Sequence, residues 1–235
     1  FIFLIVHIQF LYDKHYNKNM ESAQIKAVIF DMDGVLLDTE TISWQSWRLA
    51  AEEYGLKDIA TINARCMGAN RADTYALLRD FYGKEFPSEK FIERTSELTT
   101  KTIQRNGIPL MPYAKEALEY LDRKYTLALA SSTRKTVVQK QLSTIGIIKY
   151  FKTLTTGDMV EHSKPDPEIY LKALESININ AENVVAIEDS PNGVNSAANA
   201  KIRTIMVPDK IQPDETLKSR CWKILSNLAE IEKIL

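Results

Sequence analysis

Short apolar runs alternate along the chain with segments in which apolar residues recur every three or four positions. The runs are continuous, which is typical of parallel strands buried on both faces of a sheet. The segments between them have the periodicity of helices that bury one face. This alternation predicts an α/β fold, a Rossmann-like open parallel sheet with helices on both faces. The predicted strands are Ala27–Phe30, Leu127–Ala130, Val184–Ile187 and Thr204–Val207, with a weaker one at Thr153–Thr156.

Helix-end signals support the helices predicted between these strands. Pro112 precedes one helical face, and Gly146 follows another as a candidate C-cap. Asp166 and Pro167 form an N-cap and first-turn pair before a third. We also predict that the C-terminal run 224–235 forms a packing helix.

Residues 38–105 interrupt the alternation, because they contain no convincing strand. Aromatic and aliphatic residues recur there at helical spacing, around Trp47 and again around Leu78, and Ser88 is a candidate N-cap of a further helix. We therefore predict an α-helical cap domain, inserted after the first strand, which would act as a lid. The predicted domains are a core formed by 20–37 and 106–235, and a cap formed by 38–105.

The N-terminal stretch 1–19 does not fit this pattern. Its first eleven residues, FIFLIVHIQFL, are nearly all apolar, yet the stretch is too short for a membrane span and lacks the features of a signal peptide. Met20 opens a segment that resembles an ordinary start. We expect 1–19 to be an extension upstream of the natural start or a dispensable one; a membrane-surface anchor is the alternative.

Composition narrows the class of partner. The 235 residues are 45% hydrophobic and 26% charged, with a net charge of −1. No basic field exists that would attract nucleic acid or an anionic membrane. Two isolated cysteines, Cys66 and Cys221, provide neither a zinc motif nor a disulfide framework. We expect a cytoplasmic protein, a monomer or weak dimer, that binds neither nucleic acid nor membrane and holds any anionic ligand at a local site.

The strongest motif is DMDGVLLDTE, which begins at Asp31 directly after the first predicted strand. In open α/β sheets, ligands bind beyond the carboxyl ends of the strands, so Asp31 and Asp33 should enter such a site. Gly34 provides the backbone freedom that the turn after them requires. A DxD pattern alone is weak evidence, but two acids at the mouth of a buried strand are costly unless they have a use.

Polar residues also follow other predicted strands: Ser131, Lys164 in SKPDP, and Glu188 with Asp189. Each has a structural alternative, as a helix cap, a solvated cation or a capping turn. Together they would bring four carboxylates, a hydroxyl and an ammonium to one edge of the sheet. Carboxylates without His or Cys suit a hard cation such as Mg²⁺. The set therefore favours phosphoryl transfer, in which metal, nucleophile and general acid act together.

These segments, together with AIEDSPNGV, resemble in their order the four signature motifs of the haloacid dehalogenase superfamily. More narrowly they resemble its β-phosphoglucomutase-like phosphatases, which have a helical cap after the first motif. The resemblance covers about residues 25–210. Dehalogenases of the superfamily lack the second aspartate and transport ATPases carry Thr there, so Asp33 favours phosphoester chemistry.

The resemblance implies a role for each motif residue. Asp31 would be the nucleophile that forms an aspartyl-phosphate, and Asp33 would act as acid and then base, with its backbone carbonyl on the metal. Ser131 would bind phosphate and Lys164 would neutralise nucleophile and phosphate. The implied metal ligands are Asp31, Asp33, Glu188 and Asp189, and the implied cofactor is Mg²⁺.

The resemblance also bears on the choice between phosphatase and mutase. Met67 and Ser43 stand where the mutases carry a lysine and a histidine, and both departures weaken the mutase interpretation. Arg71 is a candidate for gripping a second anionic group, or else is a solvated arginine. The candidate substrate-binding residues are Gly68, Arg71, Ser132, Thr133 and Arg134.

We therefore expect an Mg²⁺-dependent phosphatase, a phosphoric monoester hydrolase that acts on a small phosphate ester such as a sugar phosphate. One alternative is a hexose-phosphate mutase of the β-phosphoglucomutase type. A second, from another class, is a non-catalytic binding protein on the same fold, since fold alone does not establish activity.

Overall fold

The computed structural model describes residues 23–66 and 71–235. Three sequence predictions lie outside the described residues: the N-terminal extension 1–19, Met67 and Gly68.

The chain divides into two compact units. The core unit contains the described residues 23–35 together with Pro112–Leu235, and the helical unit is Leu36–Met111. The predicted cap, 38–105, lies within the bounds of the helical unit.

The core unit is built on a parallel sheet in the order β3-β2-β1-β4-β5-β6. Its strands are β1 (Ala27–Phe30), β2 (Thr126–Ser131), β3 (Thr153–Thr156), β4 (Val184–Glu188), β5 (Arg203–Met206) and β6 (Lys223–Ile224). The predicted fold class, an open parallel α/β sheet, is confirmed. The first of these strands lies centrally because β2 and β4 pair with its two sides.

Strand register aligns the ends of the three central strands. Phe30, the last residue of β1, lies opposite Leu129 of β2 and Ile187 of β4. Because the strands are parallel, whatever follows these positions emerges at one edge of the sheet. All four residues of β1 are buried, as expected of a strand covered on both faces.

Helices cover the strands of the core unit and form the helical unit. Those in the described residues are α1 (Thr39–Glu53), α2 (Ile59–Cys66), α3 (Arg71–Tyr82), α4 (Ser88–Asn106), α5 (Ala114–Leu121), α6 (Lys135–Ile145), α7 (Glu168–Ile177), α8 (Pro191–Asn199) and α9 (Glu215–Lys218).

One predicted helix-end signal is confirmed, and another is shifted by one residue. Gly146 ends α6 with φ 79°, a left-handed conformation that glycine adopts without strain. Asp166 was predicted as the N-cap of α7 and Pro167 as a first-turn residue, but Pro167 occupies the cap position and Asp166 precedes it. The Asp166 carboxylate still accepts the N–H of Glu168 at 2.9 Å, which satisfies one of the free donors at the start of α7.

The predicted C-terminal packing helix is wrong over most of its length. Residues Lys223–Ile224 form the short edge strand β6, and Leu228–Lys233 form a 3₁₀ helix in place of an α-helix. Leu228 and Ile231 are buried, so this segment still packs through its apolar residues.

The helical unit, α1–α4, has a core of its own in which aromatic rings meet edge to face. The ring centroids of Trp47 and Phe91 are 5.4 Å apart, and those of Tyr54 and Phe91 are 5.5 Å apart. These spacings are typical of favourable aromatic pairs. The helical stripe predicted around Trp47 is therefore packing core.

Ser88 differs from its predicted role as an N-cap. It is the first residue of α4, preceded by Pro87 at the cap position, and its hydroxyl donates to the carbonyl of Tyr75 at 3.1 Å. The side chain therefore fastens α4 to α3.

The segments that enter and leave the helical unit lie side by side. Leu37 and Leu110 form an antiparallel bridge, and the N–H of Met111 donates to the carbonyl of Leu36 at 2.9 Å. Among the described residues, no helix combines the length and the apolar character that crossing a membrane requires.

Candidate active site

Three acids lie together at the carboxyl edge of the sheet. Asp31 follows β1 and continues its ladder, because its N–H donates to the carbonyl of Ile187 at 2.9 Å. Glu188 ends β4, and Asp189 comes next. One carboxylate oxygen from each of Asp31, Glu188 and Asp189 lies within 4.8 Å of the other two. The parallel register therefore assembles the cluster that the sequence predicts.

Lys164 lies among these acids and is itself nearly buried. Its ammonium donates to Asp31 Oδ1 and to Glu188 Oε1, both at 2.6 Å, and to the carbonyl of Ala130 at 3.1 Å. An ammonium has three donors, so all three are in use. Through these three hydrogen bonds, Lys164 connects the carboxyl ends of β1, β2 and β4.

Glu188 has no exposed surface and is held on both of its oxygens. Oε1 accepts the Tyr170 hydroxyl at 2.7 Å in addition to Lys164. Oε2 accepts the N–H of Asp189 at 3.3 Å. A fully buried carboxylate needs such partners, because leaving it without them is costly.

Two glycines allow the backbone to approach the acids closely. Gly34, with φ 81°, turns the chain after Asp33, and a Cβ on it would overlap the Asp189 carboxylate. A Cβ on Gly193 in α8 would overlap the Glu188 carboxylate. Gly34 was predicted to allow the turn after Asp33. It therefore also leaves space for the Asp189 carboxylate, which follows β4.

Asp33 lies beside the loop that follows β2. The Thr133 hydroxyl donates to Asp33 Oδ2 at 3.0 Å, and the Thr133 N–H donates to the Ser131 hydroxyl oxygen at 3.1 Å. Ser131 is fully buried at the end of β2. Asp33, Ser131 and Thr133 thus form one hydrogen-bonded group at the same edge as the acids.

Burial and mutual repulsion make the acids reluctant to ionise in the metal-free protein. Burial, opposed by Lys164 and reinforced by Glu188 and Asp33, raises the pKa of Asp31 to about 8. Burial together with Glu188 and Asp31 raises the pKa of Asp189 to about 9. The positive charge of Lys164 therefore does not offset the negative charge that the ionised carboxylates would carry.

Lys164 and Tyr170 remain protonated. Burial favours the neutral lysine, but Asp31 and Glu188 outweigh it and raise the pKa of Lys164 above its ordinary value. Burial, with the charges of Glu188 and Asp31, raises the pKa of the Tyr170 hydroxyl well above its ordinary value. Both groups are therefore donors across the physiological pH range.

The sequence matches the haloacid dehalogenase-like hydrolases over residues 28–207. The chain belongs to this family. It is 37% identical over 182 residues to the phosphorylated carbohydrates phosphatase of Thermotoga maritima. The aligned region covers 77% of this chain and 84% of that protein. It is 31% identical over 192 residues to YhcW of Bacillus subtilis, provisionally named a phosphatase, which covers 80% of this chain and 85% of that protein.

A solved structure from Thermotoga maritima, provisionally named a β-phosphoglucomutase, has the same fold. It superposes with a TM-score of 0.74 at 32% identity and covers 89% of this chain and 98% of that one. The predicted recognition, a haloacid dehalogenase-type protein of the β-phosphoglucomutase-like subgroup, is confirmed. The predicted enzyme class, a phosphoric monoester hydrolase, is confirmed as well.

The donor set of this hydrolase fits a hard divalent cation. Asp31, Glu188 and Asp189 offer only carboxylate oxygens, which Mg²⁺ prefers. The raised pKa values of Asp31 and Asp189 point the same way, because they mark a buried site with more negative charge than Lys164 balances. A bound divalent cation would remove that imbalance.

The predicted substrate-binding residues are distributed over both units. Ser132 and Arg134 are exposed in the loop after β2, where Arg134 occupies the N-cap position of α6. Thr133 lies between them and contacts Asp33. Arg71 is the exposed first residue of α3 in the helical unit, and Ser43 is half-buried in α1.

Tyr170 contacts the site although no site role was predicted for it. Tyr170 has the spacing of an apolar helix face together with Ile169 and Ala173, and all three are buried. Its hydroxyl nevertheless reaches Glu188. The available signal was its position in the first turn of α7, six residues after the predicted Lys164, since a buried tyrosine needs a partner for its hydroxyl.

Proposed function

We propose that this protein is an Mg²⁺-dependent phosphatase that hydrolyses a small phosphorylated metabolite through an aspartyl-phosphate on Asp31. The observation that carries the proposal is the cluster of Asp31, Glu188 and Asp189 around the ammonium of Lys164 at the ends of adjacent strands. Membership of a family of hydrolases and identity to named phosphatases support the reaction class.

Asp31 is the nucleophile in this proposal. One of its oxygens forms a bond to phosphorus as the bond between phosphorus and the ester oxygen breaks. Lys164 holds the carboxylate at 2.6 Å, which fixes its orientation and offsets its charge. That compensation matters because an anionic carboxylate must otherwise approach an anionic phosphate ester.

Asp33 is the general acid and then the general base. It donates a proton to the departing ester oxygen, so the alcohol leaves neutral. Asp33 then accepts a proton from the water that attacks phosphorus, and the bond to the Asp31 oxygen breaks with release of phosphate. The Thr133 hydroxyl, 3.0 Å from Asp33 Oδ2, orients the carboxyl for both transfers.

Asp31, Asp33, Glu188 and Asp189 would hold Mg²⁺, with Asp33 contributing its backbone carbonyl. When bound, the cation supplies positive charge that screens the repulsion between the carboxylates and the phosphoryl oxygens. Ser131 would bind a phosphoryl oxygen. We propose that Gly68, Arg71, Ser132, Thr133 and Arg134 contact the remainder of the substrate.

A phosphorylated carbohydrate is the proposed substrate class, because the Thermotoga maritima relative is named for such substrates. A cytoplasmic location and a monomeric or weakly dimeric state remain predictions.

The mutase is the second candidate, and the structural neighbour provisionally named a β-phosphoglucomutase favours it. Ser43 and Met67 stand against it, since they replace the histidine and lysine expected of a mutase.

One assay separates these candidates. The protein is incubated with Mg²⁺ and a panel of sugar phosphates and small phosphorylated acids, and inorganic phosphate is measured; β-glucose 1-phosphate is also assayed for conversion to glucose 6-phosphate. We expect phosphate release that EDTA abolishes and added Mg²⁺ restores. Glucose 6-phosphate without phosphate would establish the mutase. A fully folded protein that turns over nothing in the panel would favour the non-catalytic alternative.

A further inference from the structure

Tyr170 connects the apolar core of α7 to the charged edge of the sheet. Its side chain has no exposed surface, and its hydroxyl donates to Glu188 Oε1 at 2.7 Å. The Lys164 ammonium lies 5.2 Å from the centre of its ring. The same side chain therefore contacts both partners of the ion pair between Lys164 and Glu188.

Lys164 is shared between two carboxylates at equal distance. Its ammonium lies 2.6 Å from Asp31 Oδ1 and 2.6 Å from Glu188 Oε1. Glu188 Oε1 also accepts the Tyr170 hydroxyl, which takes up part of the charge of that oxygen. Without this hydroxyl, Lys164 would be the only partner described for Oε1. The Lys164 ammonium would then shift toward Glu188 and away from Asp31.

We infer that Tyr170 is a positioning residue that acts through Glu188 to keep the Lys164 ammonium on Asp31. The inference rests on the proposed function, in which Asp31 attacks phosphorus and Lys164 orients it. Tyr170 does not touch the reacting atoms in this scheme. Groups that orient the immediate partners of a reacting centre commonly change activity by about 10-fold to 100-fold when they are removed.

A purely structural role for Tyr170 makes a different prediction. Its ring packs in the core beside Ile169 and Ala173, and phenylalanine would fill the same space. If packing were its only role, Tyr170→Phe would leave turnover unchanged. If the hydroxyl mainly held the site together, the same change would weaken Mg²⁺ binding and lower thermal stability together with turnover.

The test compares Tyr170→Phe with a matched control, Tyr125→Phe. Tyr125 is partly buried, and its substitution likewise removes one hydrogen bond, from its hydroxyl to the Leu235 carbonyl at 2.8 Å, which involves no proposed site residue. The kcat and KM for p-nitrophenyl phosphate are measured with saturating Mg²⁺, the Mg²⁺ Kd by calorimetry, and the Tm in EDTA.

We expect Tyr170→Phe to lower kcat about tenfold with KM within about twofold of wild type. Its Mg²⁺ Kd should be unchanged or tighter, because the hydroxyl no longer competes for the charge of Glu188. Tyr125→Phe should keep the wild-type kcat. In a Glu188→Gln background, Tyr170→Phe should lower kcat no further, since its effect runs through Glu188.

Three results would overturn the inference alone: a Tyr170→Phe kcat within twofold of wild type, a loss of kcat matched by an equal loss of Mg²⁺ affinity, or additive losses with Glu188→Gln. Failure of Tyr170→Phe to fold would also overturn it, because the hydroxyl would then be structural. A wild-type protein that hydrolyses neither p-nitrophenyl phosphate nor the sugar-phosphate panel would instead overturn the proposed function.

Discussion

Two clusters of ion pairs in this protein have nearly the same distances and very different surroundings. In the core unit, Lys164 lies 2.6 Å from Asp31 and 2.6 Å from Glu188, and the three side chains are 8%, 10% and 0% exposed. In the helical unit, Arg94 lies 2.6 Å from Glu53 and 2.7 Å from Glu97, with side chains 29%, 43% and 53% exposed. Burial therefore distinguishes the two clusters, and distance does not.

The carboxylates respond to their surroundings in opposite directions. The hydrogen bond from Arg94 holds the pKa of Glu53 below its ordinary value, whereas burial raises the pKa of Asp31 to about 8 in spite of Lys164. Water solvates the exposed cluster, so its charges are stable with or without each other. The buried cluster instead resists full ionisation, because burial and the neighbouring carboxylates disfavour further negative charge.

The largest expected effect is that of Asp31→Asn on turnover. An amide has nearly the shape of the carboxylate but does not attack phosphorus, so we expect kcat to fall at least about a thousandfold. The measurement is phosphate release with saturating Mg²⁺. Asp80→Asn is the matched control, because Asp80 pairs with Arg65 at 3.0 Å on the exposed surface, and it should keep wild-type turnover. Equal turnover of Asp31→Asn and wild type would refute the nucleophile assignment.

The next effect concerns the stability of the buried cluster. Lys164→Met keeps the length of the side chain but leaves the fully buried carboxylate of Glu188 without its cation and removes the hydrogen bond to Asp31. Removing one partner of a buried pair typically costs about 3–5 kcal/mol, and we expect a loss of that order in the free energy of unfolding. Urea denaturation in EDTA at pH 7 measures it.

Lys115→Met is the control for that measurement. Lys115 forms an exposed pair with Glu119 at 3.9 Å in the same unit, so its loss should not change the urea midpoint measurably. Equal shifts for the two lysine variants would show that the buried cluster is as well solvated as the surface.

The acids of the buried cluster also predict how stability depends on pH. Asp31 and Asp189 have folded pKa values of about 8 and about 9 against an ordinary value of 3.8. Between those limits the folded protein binds protons that the unfolded chain releases. The metal-free protein should therefore lose stability as pH rises from 5 to 8, by roughly 1 kcal/mol per pH unit for each group.

Thermal unfolding in EDTA from pH 5 to pH 8 tests this slope. The carboxyl groups with lowered pKa values, such as Glu168 at about 2, titrate below this window and do not interfere. Asp189→Asn should reduce the slope, and saturating Mg²⁺ should flatten it because the bound cation keeps both acids ionised. A metal-free protein whose stability is constant or rises over this range would contradict the raised pKa values.

The same contrast between the two units explains what the sequence predicted. The strands β1, β2, β4 and β5 were predictable because each contains a continuous apolar run that is buried on both faces. The weaker signal of β3 reflects its sequence, TLTT, whose first two residues are only half-buried. The edge strand Lys223–Ile224 is two exposed residues long, so no apolar run marked it. The Ser88 hydroxyl bonds the Tyr75 carbonyl, a contact that depends on how α3 and α4 pack and not on the local sequence.

The acids of the candidate site were predictable for a related reason. Parallel strands deliver their last residues to one edge, so Asp31 and Glu188 had to approach each other once the strand order was known. The roles of Thr133 and Tyr170 were not predictable in this way. Thr133 was predicted to contact substrate and its hydroxyl bonds Asp33, while Tyr170 was hidden in the apolar periodicity of α7.

The smallest expected effect concerns the exposed cluster around Arg94. Arg94 binds Glu53 through two parallel hydrogen bonds, from Nε at 2.6 Å and from Nη2 at 2.7 Å, which is the favourable bidentate geometry. If geometry decided, Arg94→Met would cost as much as Lys164→Met. Because water and salt screen this cluster, we expect Arg94→Met to shift the urea midpoint only slightly at low salt and not measurably in 1 M NaCl. The cost of Lys164→Met should persist in 1 M NaCl, since salt screens a buried ion pair far less than an exposed one. A salt-resistant loss for Arg94→Met would mean that the helical unit relies on this cluster as the core unit relies on Lys164.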